Sequence, residues 1–212
     1  MATFDVFTVV AANTAQHTIY KLAEFMARSM SLLKSLNHTI NFLCVTKMGM
    51  SSPHGWMRIG EIDIDKSKSE NLVVSDAFNL GLRKMCSDYV IFCHADIAML
   101  YKDWDVVILD LLQKYQMVGV PHFNGGWNCP SQIFCCASRK TWKALDLSFH
   151  PLLYGRGKNI QARILTAEEA EIIGRHEGDR IKFDLGHEIP FKMSKLHLSS
   201  FVFPSVDTNT FF

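Results

Sequence analysis

The stretch Tyr89-Val90-Ile91-Phe92-Cys93-His94-Ala95-Asp96 is an apolar run that stops abruptly in a polar tripeptide. β-branched and aromatic residues in unbroken succession read as a strand covered on both faces, because a strand with one wet face would alternate. Strands of that kind belong to mostly parallel sheets with helices on both sides. A carboxylate placed where such a strand runs out stands at the carboxyl edge of the sheet, where α/β folds bind their ligands. One segment thus predicts both an architecture and the place of a site.

The flanking sequence agrees. Residues 4–10 read as a strand, and residues 16–36 as a helix with Ile19, Leu22, Ala23, Met26, Met30 and Leu33 on one face. Residues 40–46 read as a second strand, so the chain opens with a right-handed βαβ unit. Residues 48–70 are polar and turn-rich and predict irregular structure, residues 72–75 a short strand, and residues 75–85 a helix. Beyond the apolar run, residues 104–115 predict a helix and residues 117–121 and 132–137 strands. Ser138 would cap a short helix ending at Leu145. Residues 149–158 read as a loop. Thr166 with Glu169 three residues on is a capping box, residues 181–185 and 196–203 are strand-like, and a short helix follows Gly186-His187-Glu188. With no internal repeat, 212 residues fit a single domain.

Composition narrows the partners. A net charge of +1 gives no global electrostatic case for nucleic acid or an anionic membrane. None of the six cysteines forms a C-x-x-C pair, and Cys135 and Cys136 are adjacent, so on a strand they would face opposite ways. Buried thiols in a reducing cytoplasm are the expectation. No apolar run approaches the ~18 residues of a spanning helix, so the chain reads as soluble and cytoplasmic.

The order Ser75-Asp76-Ala77-Phe78-Asn79-Leu80-Gly81-Leu82, a short amphipathic stretch, Ser87-Asp88, an apolar strand and then x-x-Asp resembles the centre of the GT-A glycosyltransferases, above all the family 2 type. The resemblance covers residues 4–145 in order of elements. It implies an α/β, GT-A-like (Rossmann-like) single domain with a mixed, mostly parallel sheet flanked by helices. Residues 1–120 would be the nucleotide-sugar-binding half and residues 121–212 the acceptor-binding half. It further implies a divalent cation, Mn²⁺ or Mg²⁺, and a nucleotide-sugar donor, UDP-linked first. The reaction would be an inverting transfer to a glycan or other hydroxyl. The family's first acid is here His94, which offers less charge to a hard cation, so Asp96 is the metal ligand expected.

The remaining assignments rest on that resemblance, each beside a plainer reading. His94 and Asp96, at i and i+2, would face the same way from a strand end and hold metal and nucleotide, or Asp96 would simply cap a helix or turn. The loop at Ala11–Asn13 would wrap the base, or Asn13 would be an N-cap. Asp76 and Asn79 share a helix face and would line the nucleotide pocket, or Asp76 would favour a helix N-terminus. Gly125, Gly126 and Trp127 would receive the acceptor, or form a hairpin turn. Glu188 would be the general base, with His187 and Asp184 behind it, or an acid at a helix start. His197 would complete the metal site, or be a core residue. A nucleotidyltransferase is a rival within the class, and a binding protein that has lost catalysis is a rival outside it. A modified base in phage or viral DNA is a further acceptor to consider, met by Arg156, Lys158, Arg163, Arg175, Arg180 and Lys182. Walker A, G-x-S-x-G and H-E-x-x-H motifs are absent from the sequence.

Overall fold

The computed structural model describes residues 1–11, 16–64, 70–122, 127–152, 161–183 and 185–204. A seven-stranded sheet runs in the order β3-β2-β1-β4-β6-β5-β9. Its strands are β1 (Thr3–Val10), β2 (Thr39–Lys47), β3 (Met57–Ile62), β4 (Tyr89–Cys93), β5 (Met117–His122), β6 (Trp127–Ser138) and β9 (Ser200–Val202). β1 pairs in parallel with both β2 and β4, and β6 alone runs against its neighbours. Five of the helices flank it: α1 (Gln16–Leu33), α2 (Glu70–Lys84), α3 (Trp104–Leu112), α4 (Arg139–Leu145) and α6 (Glu188–Lys195). A hairpin of β7 (Ala162–Ile164) and β8 (Arg180–Lys182) packs with α5 (Ala167–Ile173) beside them. This is a single-domain, GT-A-like α/β fold with a mostly parallel mixed sheet.

Side-chain alternation builds two cores. Phe7, Val9, Val90, Phe92, Cys135 and Ala137 face α2, α4 and α6, where Val73, Ala77, Phe78, Trp142, Ile189 and Met193 cover them. Phe4, Val6, Val10, Ile91, Cys93 and Cys136 face α1 and α3, where Met26, Met30, Trp104 and Ile108 do the same. Cys135 and Cys136 therefore lie on opposite faces, as their adjacency on a strand demands. Phe92 is the hub of the first core. Its ring lies 4.9 Å from Trp142, 5.0 Å from Phe149 and 5.5 Å from Phe7, tying β1, β4, α4 and the segment after α4 together.

Several elements depart from the sequence expectations. Residues 72–75 are helical, because Val73, Ala77 and Phe78 bury one face of α2, and packing overrides the β-branched pair Val73-Val74. The stretch expected to be irregular holds β3, an edge strand whose exposed Arg58 and Glu61 pair with each other and mask its pattern. β6 begins at Trp127, five residues earlier than read, and only residues 200–202 of the final stretch are strand. The two caps stand as read. The Ser138 side chain accepts from the Thr141 amide, and the Thr166–Glu169 capping box is complete.

A buried acid locks the amino edge. Asp5 accepts hydrogen bonds from the Cys86 and Ser87 amides at 2.8 and 2.9 Å, from the Ser87 hydroxyl and from Asn41. Burial pushes its carboxyl up, but these donors outweigh it and hold the group below its ordinary value. Asp5→Ala should lower the unfolding free energy by about 2–4 kcal/mol, because the buried Ser87 amide and the partly buried Cys86 amide lose their acceptor. The folded carboxyl titrates below the unfolded one, so its contribution is complete above about pH 3.9 and drains away as pH falls toward the folded value. Urea midpoints of parent and variant should thus be widely separated at pH 7 and converge in acid. A gap that stays constant down the pH range would remove Asp5 from this role.

Candidate functional site at the carboxyl ends of β1 and β4

The strand order reverses at β1. From it the chain steps outward through β2 and β3 on one side and through β4 on the other. The carboxyl ends of β1 and β4 flank this reversal, the place where open α/β sheets bind their ligands. A cavity of about 210 Å³ lies there, lined by Thr8 and Val9 of β1 and Ala11 just after it, and by His94, Ala95 and Asp96 after β4. Val74 and Phe78 of α2 and Ile19 and Leu22 of α1 close its sides.

Local bonding fixes the triplet. The Thr8 hydroxyl donates to the Cys93 carbonyl at 2.8 Å, and the His94 amide donates to the Ile133 carbonyl at 3.0 Å, so β4 ends between two anchored neighbours. Ala95 is buried while Asp96 is exposed, its carboxylate open to solvent at the mouth. Burial, and after it the Asp96 charge, push the Cys93 thiol up, so it stays a thiol and not a thiolate ligand. The donor set is then one imidazole and one carboxylate. Among the described residues no group of three His, Cys, Asp or Glu side chains could hold a metal. Such a pair fits a cation whose remaining positions go to ligand oxygens and water, and its nitrogen suits Mn²⁺ better than Mg²⁺.

Ala11, His94 and Asp96 thus come together. Asp76 and Asn79 occupy the same helix as Val74 and Phe78 but open onto a second groove of about 750 Å³, between α2, α4 and residues 146–150. There the Asp76 carboxylate pairs with His150 Nε2 at 2.8 Å, and the Asn79 carbonyl oxygen accepts from the Phe149 amide at 2.9 Å. Glu188, first residue of α6, reaches the same segment. Its Oε2 accepts from the Ser148 amide at 2.9 Å and pairs with Lys192 at 3.0 Å. Residues 148–150, at the start of the stretch 149–158 that the sequence reads as a loop, therefore join α2 to α6. Nothing local marks them, since their partners lie 40 to 74 residues away.

The start of α6 returns toward the cavity by another route. Gly186 adopts φ +71°, and a Cβ there would lie 3.0 Å from Gln132 Oε1. Gln132 immediately precedes Ile133, whose carbonyl holds His94. Its Oε1 is buried and has no hydrogen-bond partner among the described residues. His187 is buried, its ring edge-on to Phe183 at 5.7 Å, which leaves Glu188 the accessible member of the pair.

His197 does not join Asp96. It follows α6, exposed and left-handed at φ +53°, three residues before Ser200, which pairs with Met117. That level of the sheet is the row of Val90 and Ala137, so His197 stands off the amino edge and Asp96 off the carboxyl edge. A left-handed turn, not an apolar strand, is its environment. Asn13, Gly125, Gly126 and Asp184 lie outside the described residues, as do Arg156 and Lys158. The Trp127 main chain pairs with His122, so β5 and β6 form the hairpin that the Asn-Gly pair signals. Of the basic set, Arg163 is committed within the molecule. It pairs with Glu169 and covers the Phe183 ring at 4.4 Å.

No protein-family model matches the chain, and no curated protein matches it. Among solved structures it is similar to the mannosyltransferase PcManGT from Pyrobaculum calidifontis in complex with GDP-Man and Mn²⁺, at 12% identity and TM-score 0.50. That match covers 95% of this chain but 55% of the other, so this chain spans about half the length of that enzyme. It also matches a nucleotide-diphospho-sugar transferase, so far assigned only provisionally, from Desulfovibrio desulfuricans G20, at 13% identity and TM-score 0.47, over 98% of this chain and 84% of that one. The first likeness shows the GT-A-like fold.

Asn79→Ala should cost about 1–3 kcal/mol of stability by stranding the Phe149 amide. Thermal melts of the ligand-free protein would register that loss, and an unchanged melting temperature would show that the bond carries no weight.

Proposed function

We propose that this protein is a glycosyltransferase that takes a sugar from a nucleotide-sugar donor, UDP-linked first among candidates, and passes it to a hydroxyl acceptor. The observation that carries the reading is the convergence of Ala11, His94 and Asp96 on one cavity at the reversal point of a GT-A-like sheet. A diphosphate needs cationic compensation, and the described lining offers one carboxylate, Asp96, and one imidazole, His94, as ligands for a cation. Asp96, with His94, would hold a divalent cation, which supplies neutralisation of charge building on the leaving diphosphate.

The chain's own groups do the rest. Ala11, directly after β1, would lie against the nucleoside, where its backbone can contact the base. Asp76 and Asn79 would meet a donor that extends past α2 into the second groove. Glu188 would accept the proton of the acceptor hydroxyl, leaving its bond to Ser148 or using its other oxygen. A base on the acceptor attacks from the face opposite the leaving diphosphate, so the product would be inverted. Gly125, Gly126 and Trp127 would receive the acceptor, a glycan or another hydroxyl. A DNA acceptor would be met by basic residues such as Arg180 and Lys182, Arg163 being paired with Glu169.

A binding protein that keeps the fold without turnover is the second reading, favoured by His94 in place of an acid. Donor hydrolysis or transfer by the purified chain with Mn²⁺ separates the two.

Asp96→Asn should abolish the rise in melting temperature given by UDP or GDP with Mn²⁺ while leaving the ligand-free protein nearly as stable. Equal ligand stabilisation in variant and parent would remove Asp96 from the site. Glu188→Gln should lower turnover about 10²–10⁴-fold, the usual share of a positioned base. Donor affinity should hold. Full turnover in that variant, or a product of retained anomeric configuration, would reject Glu188 as the base.

A further inference from the structure

α1 carries apolar residues on its solvent side as well as on its buried one. Leu22, Phe25 and Leu32 fall within one face at helical spacing, and Leu36 continues the line just past the helix. Segment 97–101 lies along that stripe, because the Met99 amide donates to the Ser29 hydroxyl, between Phe25 and Leu32. Leu32, Leu36, Leu100 and Tyr101 are between 69% and 98% exposed. Together these side chains make a convex apolar ridge.

A groove of about 530 Å³ opens on the other side of the same segment, lined by Ile97, Met99, Tyr101, Trp104, Val107 and Phe203 among others. Its lining side chains are apolar save for the Tyr101 hydroxyl and the Trp104 ring nitrogen, which is spent on the Met30 carbonyl at 3.0 Å. Ridge and groove thus share a border at Tyr101. Contiguous exposed apolar surface of this extent marks an interaction site.

The charges at the two rims are opposite. Lys21 and Arg28 lie four residues before and three after Phe25, so they edge the ridge. Asp110 lies three residues after Val107 on α3 and Asp103 directly precedes that helix, so both stand near the groove. None of the four makes an ion pair among the described residues.

We propose that this face binds a second copy of the chain about a two-fold axis near Leu100 and Tyr101. The ridge of each copy fills the groove of the other and sets Lys21 and Arg28 against Asp103 and Asp110. A two-fold contact requires a self-complementary patch, and a convex basic-rimmed ridge beside a concave acid-rimmed groove is one. The acids decide against an anionic lipid surface, which would attract the ridge and repel the groove rim. The groove starts at Ile97, directly after Asp96, so the partner's ridge would wall that side of the candidate site. The proposal does not depend on the catalytic reading.

Sedimentation equilibrium of the full chain tests it. The parent should be a dimer with micromolar dissociation that weakens as salt rises. Phe25→Asp with Leu32→Asp should give a monomer with unchanged circular dichroism, since both side chains are exposed. Lys21→Glu with Arg28→Glu should weaken the dimer at least tenfold at low salt, and adding Asp110→Lys should recover part of that loss. A parent that is monomeric at every concentration overturns the proposal, as does a dimer indifferent to these substitutions. Flotation of a monomeric parent with phosphatidylserine vesicles would also overturn it and assign the face to lipid.

Discussion

The aromatic contacts around Phe92 are the constraint on which the rest of the molecule depends. This one buried ring touches Phe7 of β1, Phe78 of α2, Trp142 of α4 and Phe149 beyond α4. Those residues come from four elements spread over more than 140 positions of chain, and each gains its burial only when the others are in place. His94 stands two residues past Phe92. The strand end that presents His94 and Asp96 is therefore fixed from behind by packing, while Asp96 at its mouth is exposed to solvent. Precision at a site comes from such support and not from the site residues themselves.

The molecule divides its polar groups between two openings on either side of α2. Val74 and Phe78 of that helix face the cavity at the strand ends, and Asp76 and Asn79 face the groove toward α4. Residues three or four apart share a helix face and residues two apart do not. Asp76 lies two residues from each of Val74 and Phe78, so one helix serves both openings with different rows. The segment that carries Ser148, Phe149 and His150 is the point where α2 and α6 meet, and its amides are satisfied by side chains from both. A ligand that displaced Glu188 from Ser148 would loosen that junction.

The sequence made the parallel sheet legible through the unbroken apolar run of β4, and it made the helix caps legible through Ser138, Thr166 and Glu169. These signals are local, and local chemistry decides them. What stayed hidden was decided at a distance. β3 carries Arg58 and Glu61 on an edge, where alternation is weak. Val73 and Val74 favour a strand alone but lie in a helix packed on β1, β2 and β3. The bond from Asn79 to Phe149 spans 70 residues, so no spacing rule could assign it. At the site, the pairing of Ala11 with His94 and Asp96 was legible because strand ends in such a sheet share an edge. The place of His197 was not, because a left-handed turn separates it from the strand it was read into.

Both borders of the sheet discourage strand-on-strand growth. β3 closes one side with an Arg58–Glu61 pair projecting from it, and β9 closes the other with only three residues. A short or charged border offers a poor template for an added strand. The sheet is thus sealed against runaway cross-chain pairing, and its ladder hydrogen bonds stay within one molecule. Any assembly must instead be read through side chains on the helical faces, where fit and charge are specific and the number of copies is bounded.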